Sequence, residues 1–294
     1  MIPDLALSLL LAAGTRPAAP VVSAPAAVPS SVKWERSFED AARKARRAAK
    51  PMIVDFWADW CGWCDRLDRT TYVDPFVARK AQDFLAVKVN TEGSRRDVDV
   101  AVKYDVTELP TILFLSPEGR QLMRVNGYQG PGYFPRTLEA VLAVAKRVMS
   151  WEEALARNPD DPRALAALGA HLYEVGQIYT QERCLDEARE LLTRAVAHDS
   201  EEPLEDRRHT RLLLAILHNV DRNFAEAEKL VKDALSLGPR GEEEPKLLFV
   251  LGRTYVSWGR QDEGVATMEI IVRQYPQSPL AQKARETLSG LRAR

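Results

Sequence analysis

The first half of the chain alternates short apolar runs with longer amphipathic stretches. The apolar runs are rich in β-branched and aromatic side chains, which is typical of strands that are buried on both faces of a sheet. Three such strands are predicted at residues 52–58, 84–89 and 111–115, and a fourth at 121–125 follows a turn at 117–119. Because helix-like stretches separate most of these strands, the pattern predicts an α/β fold with a mostly parallel sheet.

Helix-start signals lie in the stretches between the strands. Ser37 and Ser94 are each followed three residues later by an aspartate, which is typical of a helix N-cap. Asp74 precedes Pro75, and proline is well suited to the first position of a helix. A last helix is expected from about residue 133 to 149. These signals predict a helix between most pairs of neighbouring strands.

The second half of the chain shows helical periodicity and no strand signals. The segment at residues 187–195 recurs at 226–234, a spacing of 39 residues, and more weakly at 263–271. A period of this length with two helices per unit resembles the tetratricopeptide (TPR) repeat with small insertions. We therefore expect an all-α, TPR-like domain that binds a protein partner, closed by a capping helix at residues 279–291.

The composition narrows the classes of function. With 294 residues, of which 46% are hydrophobic and 28% charged, the chain is long enough for two domains with cores of their own. The formal net charge is -1, so no global field would attract nucleic acid or an anionic membrane. We therefore expect protein partners and no nucleic-acid partner.

The N-terminal segment begins with an apolar run at residues 5–13, followed by an alanine- and proline-rich stretch to residue 31. The run is too short to span a bilayer, but it resembles the hydrophobic part of a secretory signal, although no basic residue precedes it. We expect an exported, periplasmic protein without an integral membrane span, or a cytoplasmic one if the signal is not functional. The expected organisation is a signal and linker at 1–31, an α/β domain at 32–149 and helical repeats at 150–294.

The three cysteines are Cys61, Cys64 and Cys184. A disulfide between Cys61 and Cys64 would remove little loop entropy from the unfolded chain and so would stabilise the fold little. This pair is therefore expected to take part in a reaction or to bind a metal. A zinc site would need further ligands, and Cys184 and His171 lie more than a hundred residues away. We expect a redox pair with no metal or other cofactor, and an incidental buried thiol at Cys184.

The position of the pair suits disulfide exchange. Cys61 directly follows a predicted buried strand and begins a helix, where backbone N–H groups stabilise a thiolate, the nucleophile of this chemistry. Cys64 lies one turn further along, where it can attack a mixed disulfide and release the product. We expect Cys61 to be the attacking thiol and Cys64 the resolving thiol.

The stretch from Val54 to Cys64 closely resembles the active-site strand and helix of the thioredoxin family, and the resemblance covers about residues 33–148. Residues 51–75 resemble most the thioredoxin-like C-terminal domain of DsbD. The resemblance implies a thioredoxin fold with a central mixed sheet and a redox-active dithiol.

The resemblance also implies roles for two charged residues. Asp55 matches the buried carboxylate that takes the proton of the resolving cysteine, and Lys88 matches the lysine paired with it. An aspartate within an apolar strand costs free energy unless it is used or paired, which favours a function for Asp55. The alternative for Lys88 is an ordinary lysine at a strand edge.

The resemblance further implies where a client protein binds. Leu109–Thr111 match the cis-proline loop that lies against the two sulfur atoms, and Trp57 and Trp60 match the tryptophans beside the site. We expect client binding along one set of residues: Trp60, Gly62, Trp63, Pro110 and Thr111. Two residues depart from the thioredoxin pattern, since Trp63 replaces a proline and Asp65 replaces a lysine or arginine. Because an acidic residue near the thiols opposes thiolate formation, Asp65 favours a low redox potential.

The sequence thus predicts a thiol–disulfide oxidoreductase that reduces disulfides in client proteins. An electron-donor thiol protein would reduce its active-site disulfide again after each cycle. Its repeats would bind a client or partner. One alternative is a redox-poised adaptor with little turnover, in which the repeats carry the function. The other is an enzyme that works in the opposite direction, as an oxidase or isomerase.

Overall fold

A computed structural model describes residues 30–199, 202–238 and 243–292. The predicted signal and nearly all of the linker lie outside the described residues. Within the described ranges, no helix is both long and apolar enough to cross a membrane.

The N-terminal half is built on a mixed five-stranded sheet. Its strands are β1 (Trp34–Glu35), β2 (Met52–Trp57), β3 (Leu85–Asn90), β4 (Thr111–Leu115) and β5 (Gln121–Asn126), in the spatial order β1-β3-β2-β4-β5. The first three run parallel, whereas β4 pairs antiparallel with β2 and β5 pairs antiparallel with β4. The sheet is therefore less parallel than the strand pattern alone suggests, and it is mixed as the family resemblance implies.

Helices cover both faces of this sheet. They are α1 (Phe38–Ala48), α2 (Gly62–Arg66), α3 (Pro75–Lys80), α4 (Arg95–Lys103) and α5 (Phe134–Arg157). Side chains of α1 and α4 pack with Val54 and Phe56 on one face, while Leu67 and Phe134 pack with Ile53 on the other. Because both faces are covered, β2 is buried along nearly its whole length.

The predicted helix caps are confirmed. The Ser37 side chain accepts a hydrogen bond from the Asp40 N–H, and Asp74 accepts from two N–H groups at the start of α3. Ser94 and Asp97 form a reciprocal capping box at the start of α4.

Three local features were not predicted. The two-residue strand β1 is too short to produce a pattern of its own. After α2 the helix widens into a π-helical turn at Leu67–Thr71, closed by a hydrogen bond from the Tyr72 N–H to the Leu67 carbonyl. The helix α5, expected to end near residue 149, continues to Arg157, so the predicted domain boundary falls inside a helix.

The C-terminal half is all-α in its described parts. Its helices are α6 (Pro162–Tyr179), α7 (Glu182–His198), α8 (Leu204–Val220), α9 (Phe224–Ser236), α10 (Glu244–Trp258), α11 (Gln261–Gln274) and α12 (Pro279–Arg292). The helices pack in consecutive pairs, α6 with α7, α8 with α9 and α10 with α11, and α12 packs on α11. The three copies of the internal repeat occupy the second helix of each pair.

Close packing within the first helix pair depends on glycine. A Cβ atom at Gly176 would lie 2.7 Å from the Leu185 Cγ, and one at Gly169 would lie 2.9 Å from the Leu192 Cγ. Both distances are shorter than a van der Waals contact, so α6 approaches α7 this closely because two positions carry no side chain.

The helical half is fixed to the sheet by a buried polar junction. The Gln181 side chain donates to the Tyr104 carbonyl at 3.3 Å, and the His171 Nε2 lies 3.0 Å from the Gln121 carbonyl oxygen. The Arg120 guanidinium forms ion pairs with Glu152 of α5 and Glu187 of α7. A single hydrophobic core also runs from the sheet through α5 into α6 and α7, so the two halves form one packed unit at this junction.

Candidate functional site

Cys61 and Cys64 form a disulfide bond at the end of the central strand β2. Cys61 caps α2, with its sulfur accepting a hydrogen bond from the Cys64 N–H at 3.2 Å. Cys61 is 6% exposed and Cys64 is 2% exposed. Cys61 is thus the slightly more exposed residue of the pair, and its role as the attacking thiol stays a prediction.

Asp55 lies inside β2, and its side chain is fully buried. Burial raises the pKa of this carboxyl from 3.8 to about 6, because an ionised group loses its hydration, while the nearby Lys88 ammonium opposes the shift. Neither carboxylate oxygen has a well-aligned hydrogen bond among the described residues. A carboxylate in this condition is suited to accept a proton near neutral pH.

Lys88 on β3 pairs with Asp55 on β2 in the register of the sheet. Two carboxylates and three aromatic rings surround its ammonium group. Its Nζ lies 3.1 Å from an Asp55 oxygen and 2.5 Å from an Asp68 oxygen. The rings of Trp34, Trp57 and Tyr72 surround the same ammonium, with centroids 5.3, 5.7 and 5.5 Å away. Such an arrangement fixes the cation beside the buried carboxylate. It does not resemble an ordinary lysine at a strand edge.

Asp68 is the residue that sequence reasoning missed. It lies on the π-helical turn, and its side chain is 46% exposed, so the Lys88–Asp68 pair connects the buried carboxylate with the surface. Tyr72, four residues further along, places its buried ring over Lys88 and its hydroxyl beside Asp55. The sequence did contain a signal for a role of Asp68 near the cysteine pair. Asp68 follows Cys64 by four residues, and residues four apart lie on the same face of a helix.

The acidic residue noted in the sequence, Asp65, has a different environment. It is 64% exposed and forms an ion pair with Arg69 at 2.7 Å. Solvent and the guanidinium both screen its charge, so its effect on the sulfur atoms is weaker than the sequence suggested. Two other carboxylates near the cysteine helix, Asp55 and Asp68, share the Lys88 ammonium.

The proline loop lies at the start of β4. The Leu109–Pro110 peptide bond is cis, as the family resemblance implies. Thr111 pairs with Phe56 of β2, so this loop lies at the same end of the sheet as the disulfide. The Thr111 hydroxyl is used internally, since it donates to the Glu108 carbonyl at 2.8 Å.

Two exposed tryptophans flank the disulfide. Trp60 is 68% exposed and its indole N–H donates to Glu92 at 2.7 Å, while Trp63 is 54% exposed and packs on Tyr128 with ring centroids 5.6 Å apart. A Cβ atom at Gly62 would meet nothing within 4 Å, so the segment between the cysteines is open to solvent. Exposed aromatic groups of this size are typical of a surface that binds other proteins.

Cys184 lies apart from this site, in α7 at the junction between the two halves. It is 1% exposed, and burial raises the pKa of its thiol to about 11. A thiol in this state does not form the reactive thiolate at neutral pH. His171, the other residue considered for zinc, is at the junction too, and in the described ranges no three His, Cys, Asp or Glu side chains converge as metal ligands.

Comparison with known proteins shows what the N-terminal half of the chain resembles. Residues 38–142 match the model of the thioredoxin-like domain family. This part of the chain is a thioredoxin-like domain.

Relatives of the domain include thiol:disulfide interchange proteins named DsbD. The chain is 34% identical over 93 residues to DsbD of Photorhabdus laumondii and 33% identical over 93 residues to that of Salmonella typhimurium. Each match covers 31% of this chain and 16% of the relative, so the chain spans about a sixth of the length of these proteins.

Solved structures also resemble the thioredoxin-like domain. A DsbH oxidoreductase matches with 23% identity and a TM-score of 0.34, over 46% of this chain and 94% of its own. A thioredoxin from Thermus thermophilus matches with 23% identity and a TM-score of 0.36, over 39% of this chain and 90% of its own.

The raised pKa of Asp55 makes a prediction about stability. Between about pH 4 and pH 6 the folded protein binds a proton at Asp55 that the unfolded chain has released, so the free energy of unfolding falls as the pH rises. The ionised carboxylate should cost about 3 kcal/mol above pH 7. Asp55→Asn should therefore stabilise the oxidised protein at pH 8 and have little effect at pH 4, as measured by denaturant unfolding.

The matched control is Asp65→Asn, which removes an exposed carboxylate from the same thioredoxin-like domain. It should not reproduce the pH-dependent gain. A gain from Asp55→Asn that stays constant between pH 4 and pH 8 would show that burial does not raise the pKa of Asp55.

Proposed function

We propose that the thioredoxin-like domain is a thiol–disulfide oxidoreductase that reduces disulfides in client proteins. The observation that carries this proposal is the Cys61–Cys64 disulfide at the end of a strand whose interior holds the buried Asp55 carboxylate. The pair supplies the two electrons, and the carboxylate supplies the proton acceptor that the second step needs.

The reaction starts from the dithiol form. The Cys61 thiolate attacks one sulfur of the client disulfide, a mixed disulfide forms, and the other client sulfur leaves as a thiolate that takes a proton from water. Cys64 then gives its proton to Asp55 and attacks the Cys61 sulfur. The mixed disulfide breaks, and the second client sulfur leaves as a thiolate that takes a proton from water. Two electrons have then passed from the cysteine pair to the client. The disulfide in the structure corresponds to the product state.

Asp55 must lose its proton before the next cycle. The carboxylate is fully buried, whereas Asp68 is partly exposed and Lys88 contacts both. These contacts support a route to solvent through the Lys88–Asp68 pair. In the next step an electron-donor protein with a dithiol attacks the Cys61–Cys64 disulfide and restores the reduced form.

Electrostatics supports the reducing direction. A strongly stabilised thiolate makes a disulfide a strong oxidant, as in DsbA. Asp55 and Asp68 both lie close to the cysteine helix and carry or can acquire negative charge, so they disfavour a thiolate. Lys88 offsets this only in part, because one ammonium is shared between two carboxylates. This balance favours a reductase over an oxidase or isomerase.

The buried carboxylate also argues against an adaptor with little turnover. An ionised aspartate in a protein core costs free energy, and a domain that only binds has no physical need of it. We propose that client chains bind along the open edge of the site. Of the residues expected there from the sequence, Trp60, Gly62 and Trp63 are exposed, whereas Pro110 and Thr111 are buried.

The helical half offers a second binding surface, and we propose that it holds a client or partner protein, as expected of TPR-like repeats. A groove of about 450 Å³ runs between α5, α6, α7 and α8. Six of its seventeen lining residues are alanines (Ala154, Ala164, Ala166, Ala167, Ala170 and Ala195), and charged side chains such as Arg163, Glu202 and Asp206 line it too. Small residues leave room for a chain segment of another protein to approach closely.

The groove lies far from the disulfide. The loop before α5 packs on Trp63 through Tyr128, so α5 starts next to the site and leads away from it. Trp151, which lines the groove, is about 25 Å further along this helix than Phe134. A client held in the groove therefore has to be large or extended to reach Cys61. We also propose that the protein is exported by means of the signal-like segment within residues 1–31.

The cysteine mechanism predicts three distinct outcomes in single-turnover assays with the reduced full-length protein. Cys61→Ser should abolish reduction of a protein disulfide, because it removes the attacking thiolate. Cys64→Ser should accumulate mixed disulfides, which nonreducing gels and mass spectrometry would detect. Cys184→Ser should leave the rate unchanged, since that thiol is buried and protonated. Equal damage from Cys184→Ser would contradict the two-cysteine mechanism.

The groove predicts an effect on which clients are trapped. In a Cys64→Ser background, Ala167→Arg should fill the groove and lower the yield of mixed disulfides formed with cellular proteins. Gln177→Arg, an exposed position on the same helix but outside the groove, is the matched control. If Ala167→Arg leaves the yield unchanged, the groove does not hold redox clients.

A further inference from the structure

An exposed apolar strip extends from the disulfide along one flank of the thioredoxin-like domain. Beyond Trp63 it includes Val73, Phe76 and Tyr133, which are 46%, 64% and 69% exposed. The Tyr128 hydroxyl lies 3.1 Å from that of Thr70, and the Thr71 hydroxyl donates to the Gln129 carbonyl, so the loop before α5 is pinned against the cysteine helix. An apolar surface of this extent next to a reactive site indicates contact with another protein.

The strip ends in a cleft between α3 and the start of α5. The cleft has a volume of about 460 Å³, and Phe76, Pro131 and Pro135 supply its apolar wall. The Arg79 guanidinium lies over the Phe76 ring at 5.0 Å, and Arg136 lines the opposite side. The cleft therefore combines an aromatic surface with three cations, Arg79, Lys80 and Arg136, and with the two carboxylates of Asp74 and Glu139.

The two acidic side chains that line the cleft already have partners of their own. Asp74 accepts hydrogen bonds from two backbone N–H groups at the start of α3, and Glu139 forms an ion pair with Lys80 at 2.5 Å. In the described part of the chain no carboxylate lies within 4 Å of the guanidinium of Arg79 or Arg136. The same holds for Arg66, which lies over the rings of Trp63 and Tyr128 beside the disulfide. Three guanidinium groups without an ion pair of their own among the described residues thus follow the apolar strip. Lys80 lowers the pKa of the Glu139 carboxyl, and Arg136 contributes to this shift only as a minor cause.

We infer that this cleft binds an acidic, partly apolar segment of the client that flanks the cysteine under attack. The inference rests on the proposed function, because it names the class of client that the same disulfide exchanges with. Carboxylate side chains complement the guanidinium groups, and an apolar side chain packs on Phe76 and the prolines. The cysteine helix from Cys64 to Thr71 spans about 10 Å, and three further residues lead to Asp74 at the edge of the cleft, which places the cleft on the order of 15 Å from the disulfide. An extended client chain covers that distance in about five residues.

The test uses the reduced full-length protein and two synthetic peptides. Each peptide carries one cysteine as a mixed disulfide with a chromophoric thiol, and its flanks carry either glutamates or lysines about five residues from the cysteine. The acidic peptide should react about fivefold faster at low ionic strength, a factor typical of exposed ion pairs. The preference should shrink as salt is added, because exposed charges are screened.

Charge reversal identifies the surface responsible. The double variant Arg79→Glu with Arg136→Glu should abolish or invert the preference for the acidic peptide. The matched control is Arg46→Glu with Arg47→Glu, which changes the net charge equally but lies on α1, against the opposite face of the sheet. The control should keep the preference of the unaltered protein.

The possible results separate this inference from the proposed function. Equal rates with both peptides, or a preference that survives the Arg79/Arg136 reversal, would overturn the docking cleft while leaving disulfide exchange intact. Failure of the unaltered protein to react with either peptide would overturn the proposed function, and the cleft with it.

Discussion

The arrangement of the site depends on one buried charge, the Asp55 carboxylate inside the central strand. A carboxylate in that position costs free energy when it ionises, and the surrounding structure limits that cost. Lys88 lies beside it on the neighbouring strand, three aromatic rings fix the ammonium, and Asp68 holds the ammonium from the side of the solvent. The π-helical turn brings Asp68 and Tyr72 to this cluster. In the proposed mechanism, the same charge that weakens the fold is the proton acceptor for exchange at Cys64.

The rest of the molecule surrounds this cluster and separates it from the groove between α5, α6, α7 and α8. The two faces of the sheet are covered by separate helices, and α5 extends from the disulfide end of the domain into the helical half. The junction around Gln181, His171 and Arg120 is buried or paired, which fixes the helical half to the sheet. Under the proposed function, a partner in the helical groove and a client at the disulfide would occupy different ends of one unit, so the partner would not obstruct the sulfur atoms.

The sequence predicted those features that depend on local patterns. Strand and helix positions follow from apolar periodicity and from caps such as Ser94, and the family resemblance supplied the Asp55–Lys88 pair and the cis bond at Pro110. Features that depend on tertiary structure were missed. Asp68 reaches Lys88 because the helix widens into a π turn, which no propensity indicates. The length of α5 depends on packing against α6, and the screening of Asp65 depends on where the Arg69 side chain lies.

The central claim is that the carboxylates around the cysteine pair keep this site a reductant. The most direct test is the redox potential, obtained by equilibrating the full-length protein with glutathione buffers and quantifying the dithiol form. The account predicts a value near that of thioredoxin, about −270 mV, and a shift to less negative values when Asp68 is changed to Asn. A potential near that of DsbA, about −120 mV, would contradict the account and favour an oxidase.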